Sequence, residues 1–99
     1  MKKGGSIYII TNKNNTTLYV GVTSDLYSRM IQHKTKKYPK SFSARYNLDK
    51  LVYYENFHSI VEAIAREKQL KAGSRKKKVA LIDSINADWN DLFPEIEDW

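Results

Sequence analysis

Two short runs of alternating apolar residues, joined by an asparagine-rich link and followed directly by a helical stretch, constrain this chain most. They fall within Ser6 to His33, SIYIITNKNNTTLYVGVTSDLYSRMIQH. In the first run Ile7 and Ile9 alternate with Tyr8 and Ile10. In the second, after Asn12, Asn14 and Asn15, Leu18, Val20 and Val22 alternate with Tyr19 and Gly21. Period-two alternation on both sides of a polar link predicts a β-hairpin. A loop of two or four residues sets Tyr8 and Tyr19 on one face, and one such register sets them directly opposite each other. Two phenols then share a sheet face just ahead of a helix. An aromatic pair that merely stabilises the hairpin is the plainer account of them.

The rest of the chain supplies two more helices and one more strand. Thr23-Ser24-Asp25 offers capping side chains, and the first helix is expected from Leu26 to about Lys36. Leu26 and Met30 face the sheet, with Tyr27 and Ile31 beside them, while Arg29 and His33 project from one face on successive turns. Thr35 to Asn47 is basic and aromatic and, with Pro39, reads as a loop that has room for one helical turn. Leu51-Val52-Tyr53-Tyr54 predicts a third strand. Ser59 and Glu62 form a capping box that starts a second helix near Ile60, running to about Lys71 with Gly73 as its stop. Ser74 caps a third helix with Val79, Ile82 and Ile85 on its apolar face. In the acidic tail, Trp89 and Leu92 are expected to pack on the domain and the last few residues to fray.

Charge narrows the partner. Seventeen Lys and Arg against eleven Asp and Glu leave a net charge of +6 on 99 residues, which favours an anionic partner, nucleic acid or an anionic membrane surface. The length suits one domain, 1–99. The chain has no cysteine, so disulfides and thiolate metal sites are excluded. Met1-Lys2-Lys3 begins as a signal peptide does, but Thr11 and Asn12 interrupt the apolar run that follows, and no stretch approaches the ~20 apolar residues of a membrane span. A cytoplasmic protein is expected.

Two features fit a purely structural account poorly. Ile60, Ala63, Ile64, Glu67 and Leu70 form one helical stripe, so Glu67 is drawn toward the interior, where an unpaired charge costs several kcal/mol, very roughly. It requires a cation: a Lys or Arg, or a hard divalent ion that takes carboxylate oxygen. Arg75-Lys76-Lys77-Lys78 lies in the first turn of the third helix, where the peptide dipoles are already positive. The run is either a solvated basic face or a contact for phosphate. Tyr38, Phe42 and Tyr46, interleaved with cations, either stack bases or close over a small core.

Taken together, these residues resemble the GIY-YIG nuclease superfamily, most closely its small stand-alone bacterial members of the UPF0213 type and the amino-terminal nuclease domain found in excinucleases. Ser6-Ile7-Tyr8 stands for Gly-Ile-Tyr and Tyr19-Val20-Gly21 for Tyr-Ile-Gly. Arg29 with His33, Glu67 within Ala-Arg-Glu-Lys-Gln-Leu-Lys, the run Ser74 to Lys78, and Asn86-Ala-Asp-Trp89-Asn-Asp-Leu92 extend the match. The resemblance implies an α/β (α+β) domain, a three-stranded antiparallel sheet flanked by helices. It implies DNA phosphodiester hydrolysis, on branched or damaged DNA among other forms, with one divalent ion, Mg2+ or Mn2+. Tyr8 would activate water and Tyr19 would orient it or replace Tyr8. Arg29 would stabilise the phosphate, His33 would assist a tyrosine or the phosphate, and Glu67 would hold the metal. Arg75, Lys76, Lys77 and Lys78 would contact DNA, or RNA, and Asn86 would either support the site residues from behind or contact a phosphate. Departures are Ser6 for the first glycine, Val22 where some repair enzymes carry lysine, and no attached DNA-binding module. That last departure leaves a non-catalytic nucleic-acid-binding module as the alternative, and neither a membrane nor an obligate protein partner is implied.

Overall fold

The computed structural model describes residues 4–99; Met1, Lys2 and Lys3, weighed above as the opening of a signal peptide, lie outside them. The elements run β1 (Gly5–Thr11), β2 (Leu18–Thr23), α1 (Leu26–Thr35), α2 (Phe42–Arg45), β3 (Lys50–Phe57), α3 (Ile60–Ala72), α4 (Arg75–Ile85) and α5 (Phe93–Ile96). The strands form one antiparallel sheet in the order β2-β1-β3, as the α+β expectation required. No helix among the described residues is long and apolar enough to cross a membrane.

β1 takes the centre because it is apolar on both faces, and every one of its residues is buried. Ile7 and Ile9 join Val20, Val52, Ala63, Leu70 and Ile82 in a core beneath α3 and α4. Tyr8 and Ile10 join Leu26, Met30, Leu48, Leu51 and Ile96 in a second core beneath α1 and α5. Full burial of each isoleucine contributes about 2 kcal/mol. Val52 is an extra residue in β3: Ile9 pairs with Tyr53 but Ile10 with Leu51. The resulting bulge bends that strand.

The hairpin register corrects one expectation. Thr11 pairs with Leu18, so the loop is longer than two or four residues, and Tyr8 faces Gly21 while Tyr19 faces Ile10. The phenols still share a face, but as diagonal neighbours. Asn12 causes the shift. Its Oδ1 accepts from the Thr16 and Thr17 amides at 2.8 and 3.1 Å and its Nδ2 donates to Thr16 Oγ1 at 2.6 Å, so a side chain replaces the next ladder rungs.

Helix boundaries follow their caps. Asp25 accepts from the Ser28 amide, Ser59 from Glu62 and Ser74 from Lys77. Gly73 ends α3 with φ −79°, so its left-handed freedom is unused and the stop comes from Ser74 opening the next helix. β3 extends beyond the expected Leu51–Tyr54 at both ends. Ile85 is 62% exposed, off the buried face expected for it. The tail before its last residues is tied to the domain. Asp91 accepts from the Leu51 amide and pairs with Lys34 at 2.6 Å, Ile96 is fully buried, and Trp99 meets Tyr54 edge-on at 5.4 Å.

Candidate active site

The site is built outward from Tyr8. Gly21 lies across from it, and a Cβ on Gly21 would collide with Tyr8 Cζ and its hydroxyl oxygen. The phenol ring therefore lies over the β2 backbone because position 21 has no side chain. The ring is 2% exposed. Its hydroxyl bonds His33 Nε2 at 2.9 Å, and His33 Nδ1 bonds Ser43 Oγ at 3.0 Å. Ser43 is itself buried and lies 3.3 Å from Ser41 Oγ, which caps α2. A three-member hydrogen-bonded chain thus links β1, α1 and α2.

Tyr19 stands beside this chain, its ring centroid 6.3 Å from His33. Arg29, one turn before His33, lines a cavity of about 110 Å3 with Tyr19, His33, Lys36, Tyr38 and Phe42. The charges of Tyr19, Arg29 and Glu67 all bear on Tyr8. Burial pushes the Tyr8 phenol above the ordinary value of 10, Tyr19 and Glu67 add to the rise, and Arg29 opposes it. Burial, then Arg29, lowers His33 to about 4, so its imidazole is neutral at neutral pH and one ring nitrogen is free to accept a proton.

Glu67 approaches the same phenols from α3. Its side chain is 14% exposed, and its Oε2 lies 2.8 Å from Lys71 Nζ, one turn on. The cation that the stripe demanded is therefore present, and it is on the phenol side: Lys71 Nζ stands 5.8 Å from the Tyr19 ring centre. The Glu67 carboxylate raises the Lys71 pKa by its hydrogen bond.

The residues fit a divalent ion in a limited way. Among the described residues no three His, Asp or Glu side chains converge on one point. A hard ion of the magnesium type, however, keeps several waters and takes one or two carboxylates with phosphate oxygens. Glu67, largely buried and countered by an ammonium on a half-exposed, flexible stem, suits that role.

Other expected contacts separate. Arg75 and Lys78 line a shallow groove with Tyr19, Phe42 and Lys71, Lys77 lines a different groove between α3 and α4 that Lys78 also borders, and Lys76 is exposed. Asn86 does not reach the site. It is 6% exposed, its Nδ2 donates to the Val52 and Asn90 carbonyls, and its Oδ1 accepts from the Asn90 amide. With every polar atom committed to closing the turn after α4, it drops out of the phosphate contacts. Val22 pairs with Ile7 and packs beneath α3, away from the phenol face. Ser6, in place of glycine, donates to Asn56 Oδ1 at 2.7 Å.

Sequence reasoning missed Ser43 and Lys71. Lys71 was legible, since Glu67 and Lys71 are four apart on a helix. Ser43 was not, because a one-turn helix has no periodicity from which to tell its inward face.

Two tyrosines, an arginine, a histidine and a glutamate thus lie near enough for their charges and hydrogen bonds to act on one another, and comparison with known families places the fold that carries them. Residues 4–80 match the family model of the GIY-YIG catalytic domain, and the chain belongs to the GIY-YIG nuclease family. It is 38% identical over 76 residues to a UPF0213 protein of Staphylococcus saprophyticus, covering 77% of this chain and 90% of that protein. It is 31% identical over 88 residues to one of Bacillus pumilus, covering 89% of each. A UPF0213 protein of Syntrophus aciditrophicus is 33% identical over 76 residues, 77% of this chain and 86% of that one. Those names state no activity. No solved structure matches the chain.

Proposed function

We propose that this domain hydrolyses DNA phosphodiester bonds, in branched or damaged DNA among other forms, using one Mg2+ or Mn2+ ion at Glu67. The observation that carries the reading is the Tyr8–His33–Ser43 hydrogen-bonded chain, with the charges of both Arg29 and Glu67 bearing on its phenol. Tyr8 is the group that takes the proton of the attacking water. A neutral phenol cannot do so, and its raised pKa keeps it neutral in the free protein. His33 Nε2 is placed to accept the Tyr8 proton, with Ser43 holding a proton on Nδ1 and fixing that tautomer. Arg29 ties this step to substrate. Its guanidinium grips two phosphate oxygens, and its positive charge favours phenolate at Tyr8. The phenolate then takes a proton from water, the hydroxide attacks phosphorus, and the P–O bond to the leaving oxygen breaks. A divalent ion, when bound, supplies positive charge that stabilises phenolate and leaving oxygen. Tyr19 orients the water, while Arg75 and Lys78 hold neighbouring phosphates and make binding fall steeply with salt.

The test is hydrolysis of labelled duplex, single-stranded and branched DNA with magnesium or manganese. Wild type should cut and Glu67→Ala should not; a preparation that cuts nothing, or a variant that cuts equally well, removes the catalytic claim. The Glu67–Lys71 pair, which already neutralises the carboxylate, favours a second reading as a non-catalytic nucleic-acid-binding module. That reading predicts binding that persists in chelator without turnover.

A further inference from the structure

The hydrolytic reading leaves unused the aromatic rings of α2, and their geometry is unusual for a small domain. Phe42 and Tyr46 are 48% and 47% exposed, so they do not close over a core. One turn apart, they lie with ring centroids 4.7 Å from each other. The same turn points Ser43 inward to His33, and the Leu48 amide donates to the Ser43 carbonyl at 2.8 Å. The anchor that fixes His33 therefore also holds the rings outward. The run continues inward: Phe42 stacks on Tyr19, centroids 6.2 Å apart and planes 30° apart, and Tyr19 stands next to the reacting phenol. Three rings thus lead from the reaction centre to solvent.

Charge flanks the run on both sides. Between Asp25 and Asp49 the chain has no carboxylate. Arg29 and Lys36 line the cavity on one side of the Tyr19–Phe42 contact, and Lys71, Arg75 and Lys78 line the groove on the other. Cations on either side of exposed rings suit a strand whose phosphates pass across while a base lies on the rings. In a duplex each base face is already covered by its neighbours, so only an unpaired base can use such a surface. The 110 Å3 cavity is well below the ~300 Å3 of an enclosing ligand pocket, and the groove of about 400 Å3 on the other side is a shallow one, so the base is stacked rather than boxed in and its identity is weakly read.

We infer that Tyr19, Phe42 and Tyr46 form a stacking ledge for an unpaired base of a single strand, which sets the adjoining phosphate against Arg29 and the Tyr8 hydroxyl. This deepens the hydrolytic reading and rests on it for the position of the phosphate. The selected substrate is then a strand with unpaired nucleotides at the cut, such as a flap or single-stranded segment, rather than continuous duplex.

The test is fluorescence anisotropy in EDTA with a labelled oligonucleotide of about twelve nucleotides, its duplex, and a copy with abasic sites, in DNA and RNA versions. Phe42→Ala and Tyr46→Ala should each weaken single-strand binding about tenfold, within the range of a lost stacking partner. Phe42→Trp should restore it, duplex binding should change less than about twofold, and the abasic strand should bind wild type as weakly as the intact strand binds Phe42→Ala. DNA and RNA versions bound alike support a ledge that reads base faces, whereas RNA binding that is unaffected by either substitution overturns it for RNA. Equal losses on duplex and single strand, or no loss in variants that melt as wild type does, overturn the ledge. Ring-dependent single-strand binding with no cleavage of any substrate in magnesium keeps the ledge and removes the hydrolytic reading. Glu67-dependent cleavage indifferent to both rings does the reverse.

Discussion

Glu55 and Glu67 each stand beside a tyrosine and a basic side chain, and the fold treats them in opposite ways. Glu55, on β3, is gripped at both oxygens by Arg66, each contact 3.0 Å, and also accepts from the Tyr53 hydroxyl. Burial works to raise its pKa, yet the bonds from Arg66 and Tyr53 hold it below the usual carboxylate value. Glu67 is the less exposed of the two side chains, 14% against 23%, but among the described residues its ion pair is with Lys71, at a single oxygen. A carboxylate that only had to fasten α3 to the sheet would be expected to look like Glu55. The other is left with coordination to spare, on the side where the phenols and Arg29 gather.

The contrast breaks most visibly if the two acids are exchanged in function. Glu67→Gln should lower single-turnover hydrolysis by about 10³-fold or more while leaving the melting temperature close to wild type. Glu55→Gln should leave hydrolysis near wild type and cost about 2 kcal/mol in urea denaturation, since its hydrogen bonds to a charged group are partly shielded from water. If both variants lose activity and stability together, the distinction is gone.

Next in size is the support behind His33. Ser43→Ala should reduce the rate by roughly ten- to hundredfold, with DNA affinity in chelator unchanged and the low-pH limb of the rate profile displaced. Ser43→Thr, which keeps the hydroxyl, should recover most of the rate. Smaller still is the contribution of His33 to stability. Its folded-state value of about 4 lies below the ordinary 6.5, so the unfolded chain binds the extra proton between those values. Stability should therefore fall as pH drops through that window, and His33→Gln should flatten the fall in chemical denaturation at stepped pH. The smallest effect belongs to Lys71. It is half exposed, so Lys71→Ala should cost less than about 1 kcal/mol. Manganese should then bind a few-fold more tightly, as calorimetry would show, because the ammonium no longer competes for Glu67.

How far the chain could be read in advance depended on the range of the interactions. The hairpin face shared by Tyr8 and Tyr19 and the caps at Asp25, Ser59 and Ser74 are local patterns, and each appears where the spacing put it; the stripe of α3 holds in part, since Ala63, Glu67 and Leu70 turn inward while Ile60 and Ile64 are each 37% exposed. The register was not legible, because it depends on Asn12 folding its amide back onto Thr16 and Thr17 rather than on alternation. Ser43 was illegible for the same reason on a larger scale: its partner, His33, is ten residues away across a loop. Asn86 was misread because its position in a motif does not reveal whether its amide faces solvent or the Val52 carbonyl.

The missing side chain at Gly21 has one more effect. Because the Tyr8 ring rests on main chain at Gly21, peptide geometry sets a floor beneath its oxygen, while the core it shares with Ile10, Leu26 and Met30 packs around the ring. A substituent as small as a methyl at position 21 would lift that oxygen off its bearing and out of line with the imidazole.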